Sequence, residues 1–444
     1  MKPAVPASAT PASVGPALWQ LLQATAQGVA AVRQGQSATR VISEVRTDLR
    51  PGVQALLYQT LRYLGRAMAL RTQLARRAPP AAADALLCTA LALAWHDDLA
   101  PYAPHTLVNQ AVEAAKRHRA TQPQAAFLNA CLRRFLRERE ALVAQTEADP
   151  VARWNHPRWW IEQLQHDHPD QWQAILQANQ QAAPMTLRVQ TQRITREALQ
   201  ARWAQAGLPS QAVGEHGLVL ASPRAVQDIP GFDEGLCSVQ DAAAQRAAPL
   251  LAAALQPTPG RAWRLLDACA APGGKTAHLL ELLNAELVAL DVDAERCRRI
   301  RETLDRLGLQ ADIRCADAAT PEAWWDGQAF DGILLDAPCT ASGIVRRHPD
   351  VRWLRRASDV SQLAAQQARL LSALWPLLRP GGVLLYCTCS VFKQEGQAQV
   401  QAFLAHNTGA ILRESPGHLM PALTDNRSGD QDGFYYALLE KSGP

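Results

Sequence analysis

At 444 residues the chain exceeds what one ordinary hydrophobic core organises, and two or three domains are expected. Its longest apolar run, Ala85 to Trp95, falls short of the roughly 20 residues that span a bilayer, which excludes a membrane helix there. The net charge of +4 is uneven: residues 1–150 carry 17 Lys/Arg against 10 Asp/Glu, and the remainder carries 28 against 31. A positive excess gathered on one module suits a polyanion-binding surface, and equally suits solvated helix faces.

Residues 1–16, rich in Pro, Ala and Ser, read as a disordered leader. From 17 to about 150 apolar residues recur at three and four, as in Ala55-Leu56-Leu57-Tyr58 followed by Leu61 and Leu64. Pro51-Gly52, Pro79-Pro80, Pro101 and Pro104 punctuate this pattern, which predicts an all-α domain of five to seven helices. Its most basic parts are Lys116-Arg117-His118-Arg119, then Arg133-Arg134 and Arg137.

Residues 151–250 open on Asn155-His156-Pro157-Arg158-Trp159-Trp160 and read as a small α+β subdomain. A helix is expected near 161–179, then strands over 185–190 and 217–221 around a helix over 196–206. Such a unit is either a small RNA-binding module or a connecting piece.

From 251 to 444 the pattern alternates. Strands are predicted over 264–268, 287–290, 312–315, 330–335 and 383–386, with helices over 275–283, 294–307 and 360–378, then a final helix and strand. Repeated βα units predict a Rossmann-like α/β domain, a doubly wound parallel sheet with helices on both faces.

Chemistry gathers at the ends of these strands. Leu265 to Thr276 is a strand, a loop of small residues and a helix start. It is neither a phosphate loop, since the first glycine of that motif would fall at Cys269, nor a G-x-G-x-x-G fingerprint. The loop Cys269-Ala270-Ala271-Pro272-Gly273-Gly274-Lys275 lets backbone approach a ligand closely, and the helix N-terminus favours a carboxylate. Asp291 ends the second strand, where an acid commonly takes a ribose diol, and Asp317 after the third could meet an adenine edge. A ligand with a ribose and a carboxylate but no phosphate requirement fits S-adenosyl-L-methionine.

Two cysteines also emerge at strand ends, in Asp336-Ala337-Pro338-Cys339 and Thr388-Cys389-Ser390. A free thiol titrates near about 8.5 and is only partly thiolate at neutral pH, so a nucleophilic cysteine needs an activating neighbour. Cys387 reads as packing, and Cys88, Cys131, Cys237, Cys297 and Cys315 as small buried hydrophobes. Nine cysteines without a secretion signal, and without a C-x-x-C pair, point to the reducing cytoplasm and to no metal site.

Asp267–Thr276, Asp336–Gly343 and Tyr386–Ser390 together closely resemble the RNA cytosine-5 methyltransferases, and with the helical N-terminal part the chain resembles their Sun/Fmu type. Asn129-Ala130-Cys131-Leu132-Arg133-Arg134 is similar to the NusB-like antitermination fold, and Val239-Gln240-Asp241 extends the likeness to the edge of the catalytic domain. The resemblance implies an S-adenosylmethionine-dependent enzyme that methylates carbon 5 of cytosine 967 in 16S ribosomal RNA, free or in a small-subunit assembly intermediate. It implies a covalent adduct of Cys389 with carbon 6, Cys339 assisting product release, and Asp336 beside the cytosine ring. Lys275 neutralising or orienting Asp336 stays open. A monomer is expected. Family members often have Gly-Asp where this chain has Ala316-Asp317, so that loop should differ slightly.

Arg346-Arg347-His348-Pro349 and Arg352-Trp353-Leu354-Arg355-Arg356 suggest contacts to a flipped base and its flanking phosphates, the alternative being an ordinary helix start. Three rivals remain: a DNA cytosine-5 methyltransferase using Cys339 as nucleophile, a cytosine-5 enzyme for another RNA position, and a non-catalytic ribosome-assembly factor.

Overall fold

The computed structural model describes residues 15–256, 260–421 and 431–443. The leader expected at 1–16 lies, for residues 1–14, outside the described residues. The chain divides into two compact units between Pro157 and Arg158.

The first unit is helical: α1 (Leu18–Arg33), α2 (Ala38–Glu44), α3 (Arg50–Arg62), α4 (Leu64–Leu74), α5 (Ala81–Ala94), α6 (Pro104–Arg117), α7 (Ala125–Thr146) and a short α8 (Pro150–Trp154). The prolines act as anticipated: Pro51 and Pro104 occupy first turns, where a missing N–H costs nothing, and Pro80 caps α5. Helix α5 is apolar around its whole circumference and buried from Ala83 to Ala94, so it forms the centre of the bundle. Its single acid, Asp84, is neutralised by Arg33 at 2.7 Å and Arg71 at 2.9 Å.

The second unit begins with α9 (Arg158–Asp167) and α10 (Trp172–Ala178). The single helix expected over 161–179 is divided because Pro169 has no N–H to continue the ladder and disfavours helical geometry at His168. Next comes an antiparallel sheet of order β2-β3-β1-β4, from β1 (Thr186–Val189), α11 (Arg196–Gln205), β2 (Ser210–Val213), β3 (Gly217–Leu220) and β4 (Cys237–Val239). Leu199 and Trp203 of α11 pack on Leu187, Val189, Leu218, Leu220 and Cys237.

The larger sheet follows α12 (Ala247–Ala254). Its elements are β5 (Trp263–Asp267), α13 (Gly274–Leu282), β6 (Ala285–Asp291), α14 (Ala294–Leu307), β7 (Asp312–Cys315) and β8 (Phe330–Asp336). Then come α15 (Val351–Leu354), α16 (Ala357–Leu374), β9 (Leu378–Thr388), α17 (Gln397–His406), β10 (Ala410–Leu419) and β11 (Phe434–Lys441). The order is β10-β11-β9-β8-β5-β6-β7, parallel from β9 to β7. The expected single last strand is instead a pair, with β11 running antiparallel beside β9 and β10 outside it.

Burial on both faces explains the continuous apolar runs. Leu266, Ile333, Leu335, Leu384 and Tyr386 face Leu370, Leu371, Trp375 and Phe403 of the α16–α17 side. Leu265, Leu334 and Leu385 face Leu251, Ala277, Ile300 and Leu304 of the α12–α14 side. Strand order reverses between β5 and β8, so Asp267 and Asp336 end neighbouring strands at the crevice where such sheets bind ligands.

Candidate active site

The loop after β5 is pinned from below. Ala268 N–H donates to Leu334 O at 2.9 Å and Ala270 N–H to Leu290 O at 2.8 Å, which threads the loop across the strand ends. The Ala271–Pro272 peptide bond is cis. Gly273 has φ +97°, and a Cβ there would lie 3.2 Å from Ile300 Cα, so the turn into α13 requires glycine on two counts. Buried Thr276 donates to Asp267 Oδ2 at 2.7 Å, while Asp267 Oδ1 is buried without a hydrogen-bond partner. Burial pushes the Asp267 carboxyl up to about 7 and the Cys269 thiol above its ordinary range.

The acids proposed for the nucleoside stand at the next two strand ends. Asp291, buried, accepts from Ala271 N at 3.3 Å and Asp293 N at 3.2 Å, with Arg296 3.3 Å away. Asp317 accepts from Ala319 N at 2.9 Å and from Arg369 at 3.0 Å.

Asp336 closes β8 opposite Cys387 of β9. Lys275 Nζ donates to Asp336 Oδ2 at 2.6 Å and lies 5.4 Å from the centre of the Phe434 ring. Burial alone would lower the Lys275 ammonium, but Asp336 overrides it and holds the group above its ordinary value. The sulfur of Cys387 donates to Asp336 Oδ1 at 3.4 Å, so this cysteine is more than the packing expected of it.

The two thiol-bearing turns meet. Cys339 Sγ and Cys389 Sγ are 3.4 Å apart, Cys339 buried and Cys389 half-buried. The Cys389 contact, together with burial, pushes the Cys339 thiol well above its ordinary range. Gly343 N–H donates to Cys389 O at 2.9 Å, and Gly433 N–H to Gly343 O at 2.8 Å; a Cβ on Gly343 would overlap the Gly433 carbonyl.

The arginine-rich stretch is a correction. Arg346 and Arg352 are fully buried, Arg346 on Asp432 and Arg352 donating to Asn179 O at 2.7 Å. Arg347 bonds Asp432, Asp241 and Pro184 O, and Arg355 donates to the carbonyls of Cys339 and Thr340, both at 3.2 Å. These side chains brace the site from inside; only Arg356 is exposed among them. Cys315 is also exposed, contrary to its reading as a buried hydrophobe.

Sequence reading missed Glu395, Gln367 and Asp432. It also missed Arg188 of β1, which pairs with Glu281 of α13 through bonds of 2.9 and 2.6 Å and donates to Gly274 O at 2.9 Å. Apart from the near contacts of Glu395 with Ser390, Thr388 and Tyr386, their partners lie far along the chain. Among the described residues no group of His, Cys, Asp and Glu could hold a metal, and no helix is long and apolar enough to cross a membrane.

Comparison with known proteins is consistent along the chain. Residues 252–440 match the family described as 16S rRNA methyltransferase RsmB/F, residues 156–227 the RsmF/B-like ferredoxin-like domain, and residues 18–137 the NusB family. The chain is 42% identical to ribosomal RNA small subunit methyltransferase B of Pseudomonas putida, across 94% of this chain and 98% of that protein. It is 45% identical to the Vibrio cholerae protein of the same name, across 76% of this chain and 77% of that one. Among solved structures, PH0851 superposes with a TM-score of 0.75 at 23% identity, covering 95% of this chain and 99% of that one, which speaks for the fold. A methyltransferase homolog protein from Pyrococcus horikoshii gives 0.54 at 27% identity, covering 66% of this chain and 98% of that one.

Proposed function

Because the chain belongs to the 16S rRNA methyltransferase RsmB/F family, we propose that this methyltransferase acts on carbon 5 of a cytosine in 16S ribosomal RNA, cytosine 967, with S-adenosyl-L-methionine as donor. The observation that carries the reading is the contact of two thiols, Cys339 and Cys389, 3.4 Å apart beside the Lys275–Asp336 pair.

The residues present fit that donor. Gly274, where a Cβ would meet nothing nearer than Gln240 Nε2 at 3.8 Å, opens a close backbone approach at the start of α13, Asp291 suits a ribose diol, and the unpartnered Asp267 Oδ1 remains available to a donor such as an ammonium. Cys269 to Lys275 form the cradle, and Asp317 can take an adenine edge in competition with Arg369. When bound, S-adenosylmethionine supplies an electrophilic methyl group on a sulfonium.

Cytosine carbon 5 is a poor nucleophile. Cys389 Sγ, as thiolate, adds to carbon 6, and the displaced ring electron pair makes carbon 5 able to take the methyl group. Asp336, fixed by Lys275 and Cys387, hydrogen-bonds the ring nitrogen or the exocyclic amine and stabilises the adduct. Carbon 5 then gives up its proton to a base; the C–H electron pair restores the ring double bond as the carbon 6–sulfur bond breaks toward Cys389. Cys339 assists this release. RNA binding is assigned to residues 17–150 and 151–250, and catalysis to 251–444, in a cytoplasmic monomer acting on free RNA or an assembly intermediate.

The test is methyl transfer to protein-free 16S RNA by wild type, Cys389→Ala and Cys339→Ala, with mapping of 5-methylcytosine and denaturing gels for protein–RNA adducts. Activity should vanish in Cys389→Ala, and a stable adduct should accumulate in Cys339→Ala. Activity retained by Cys389→Ala and lost in Cys339→Ala would reverse the two roles. No transfer by the wild type to protein-free RNA, nor to a small-subunit assembly intermediate, would refute 16S RNA as substrate.

A further inference from the structure

Glu395 lies five residues beyond Ser390, in a single helical turn over Lys393–Glu395, and its side chain is fully buried. Four donors converge on its carboxylate. Oε1 accepts from Thr340 N at 2.8 Å and Gln367 Nε2 at 3.4 Å, and Oε2 accepts from the Thr340 hydroxyl and from Ser390 Oγ at 2.6 Å. Thr340 follows Cys339, and Ser390 follows Cys389. The Glu395 carbonyl accepts from Tyr386 Oη at 2.8 Å and Thr388 Oγ1 at 3.4 Å, on the strand that delivers Cys389. Gln367 completes the frame by donating to Pro338 O at 2.9 Å.

A carboxylate held only by neutral donors, with no cation among these contacts, is expensive to bury. Its value here is geometric: an acceptor with about four lone-pair positions can collect two turns whose donors all point inward. We propose that Glu395 is a positioning residue for the thiol pair, clamping the turn that bears Cys339 to the turn that bears Cys389 so that the two sulfurs act together. The role in methyl transfer rests on the functional reading above; the clamp itself does not.

The clamp predicts two separable effects. Glu395→Gln keeps an acceptor for Thr340 N, and the Thr340 and Ser390 hydroxyls can reverse to accept from the new amide, so the turns stay in place. What changes is the charge beside Cys339. Glu395→Ala removes both the charge and the tie.

The experiment is alkylation of the full-length protein by iodoacetamide from pH 6 to 10, with each cysteine quantified by peptide mass spectrometry. Cys237, buried in the smaller sheet's core, reports global opening. In Glu395→Gln the alkylation of Cys339 at the alkaline end of this range should exceed that of wild type, with Cys237 unchanged. In Glu395→Ala, Cys339 alkylation should rise by about tenfold at fixed pH, again without Cys237 following. Cys339 behaving as in wild type in both variants would overturn the proposal. So would Cys339 and Cys237 rising together, which is the signature of general unfolding. No RNA is needed, so a wild type that fails to methylate bears on the functional reading alone and leaves the clamp standing. With active enzyme, Glu395→Ala should shift the balance toward trapped protein–RNA adduct, and Glu395→Gln should restore turnover.

Discussion

Asp267 concentrates the electrostatic conflict of the site in one side chain: a buried carboxyl with one oxygen bonded to Thr276 and the other unpartnered. Its folded value of about 7 lies above the ordinary carboxylate value, so the folded state binds the proton more tightly than the unfolded chain. That stabilising contribution is complete below about pH 4 and is lost as pH rises through about 7. Asp267→Asn should therefore flatten the fall of melting temperature across that window and exceed wild type in stability near pH 8. A variant whose melting profile runs parallel to wild type from pH 4 to 8 would refute this. The two nucleophile candidates were legible because each sits in a local motif at the end of an apolar run. Glu395 and Asp432 were not, because their meaning lies in contacts with Thr340, 55 residues away, and Arg346, 86 residues away. Arg346 and Arg352 misled for the same reason: a basic run reads as surface until its buried partners are seen.

Arg188 shows how one element is held against another. Strand β1 delivers the guanidinium into a bidentate bond with Glu281 on α13, and the same group reaches the carbonyl of Gly274 and the side chain of Gln240. Both partners of the pair are almost fully buried. Removing one alone strands the other charge, so Arg188→Met should cost about 3–5 kcal/mol in denaturant unfolding. Arg188→Met with Glu281→Met should recover most of that loss, while ligand affinity at the α13 turn stays impaired in both. Equal stability of the single variant and wild type would remove the pair from the account. At this scale the alternating βα pattern was readable because parallel strands buried on both faces leave unbroken apolar runs. Strands β2 and β4 escaped notice, being four and three residues long and partly exposed. The direction of β11 was equally hidden, since its sequence is as apolar as that of its parallel neighbours and pairing direction leaves no local trace.

For the whole molecule, each of the two units has its own buried centre: α5 in the first, and the two faces of the large sheet in the second. Residues 1–157 hold 18 Lys/Arg against 10 Asp/Glu. Separately produced 1–157 and 158–444 should each unfold cooperatively. The first should bind RNA with an affinity that falls steeply with added salt, as counterion release requires. A fragment 1–157 that melts without a transition, or binds RNA independently of salt, would contradict that division of labour. The lock made by Asp432 and Gly433 has a further consequence, in the order of synthesis. The segment that follows Cys339 is braced by residues that the ribosome adds last among its partners: 86 residues separate Arg346 from Asp432. At about 5–20 residues per second, that stretch occupies on the order of ten seconds of translation. Until it emerges, the turn carrying Cys339 lacks the ties of Arg346 to Asp432 and of Gly343 to Gly433, and keeps those to Arg355 and Glu395, which are synthesised earlier.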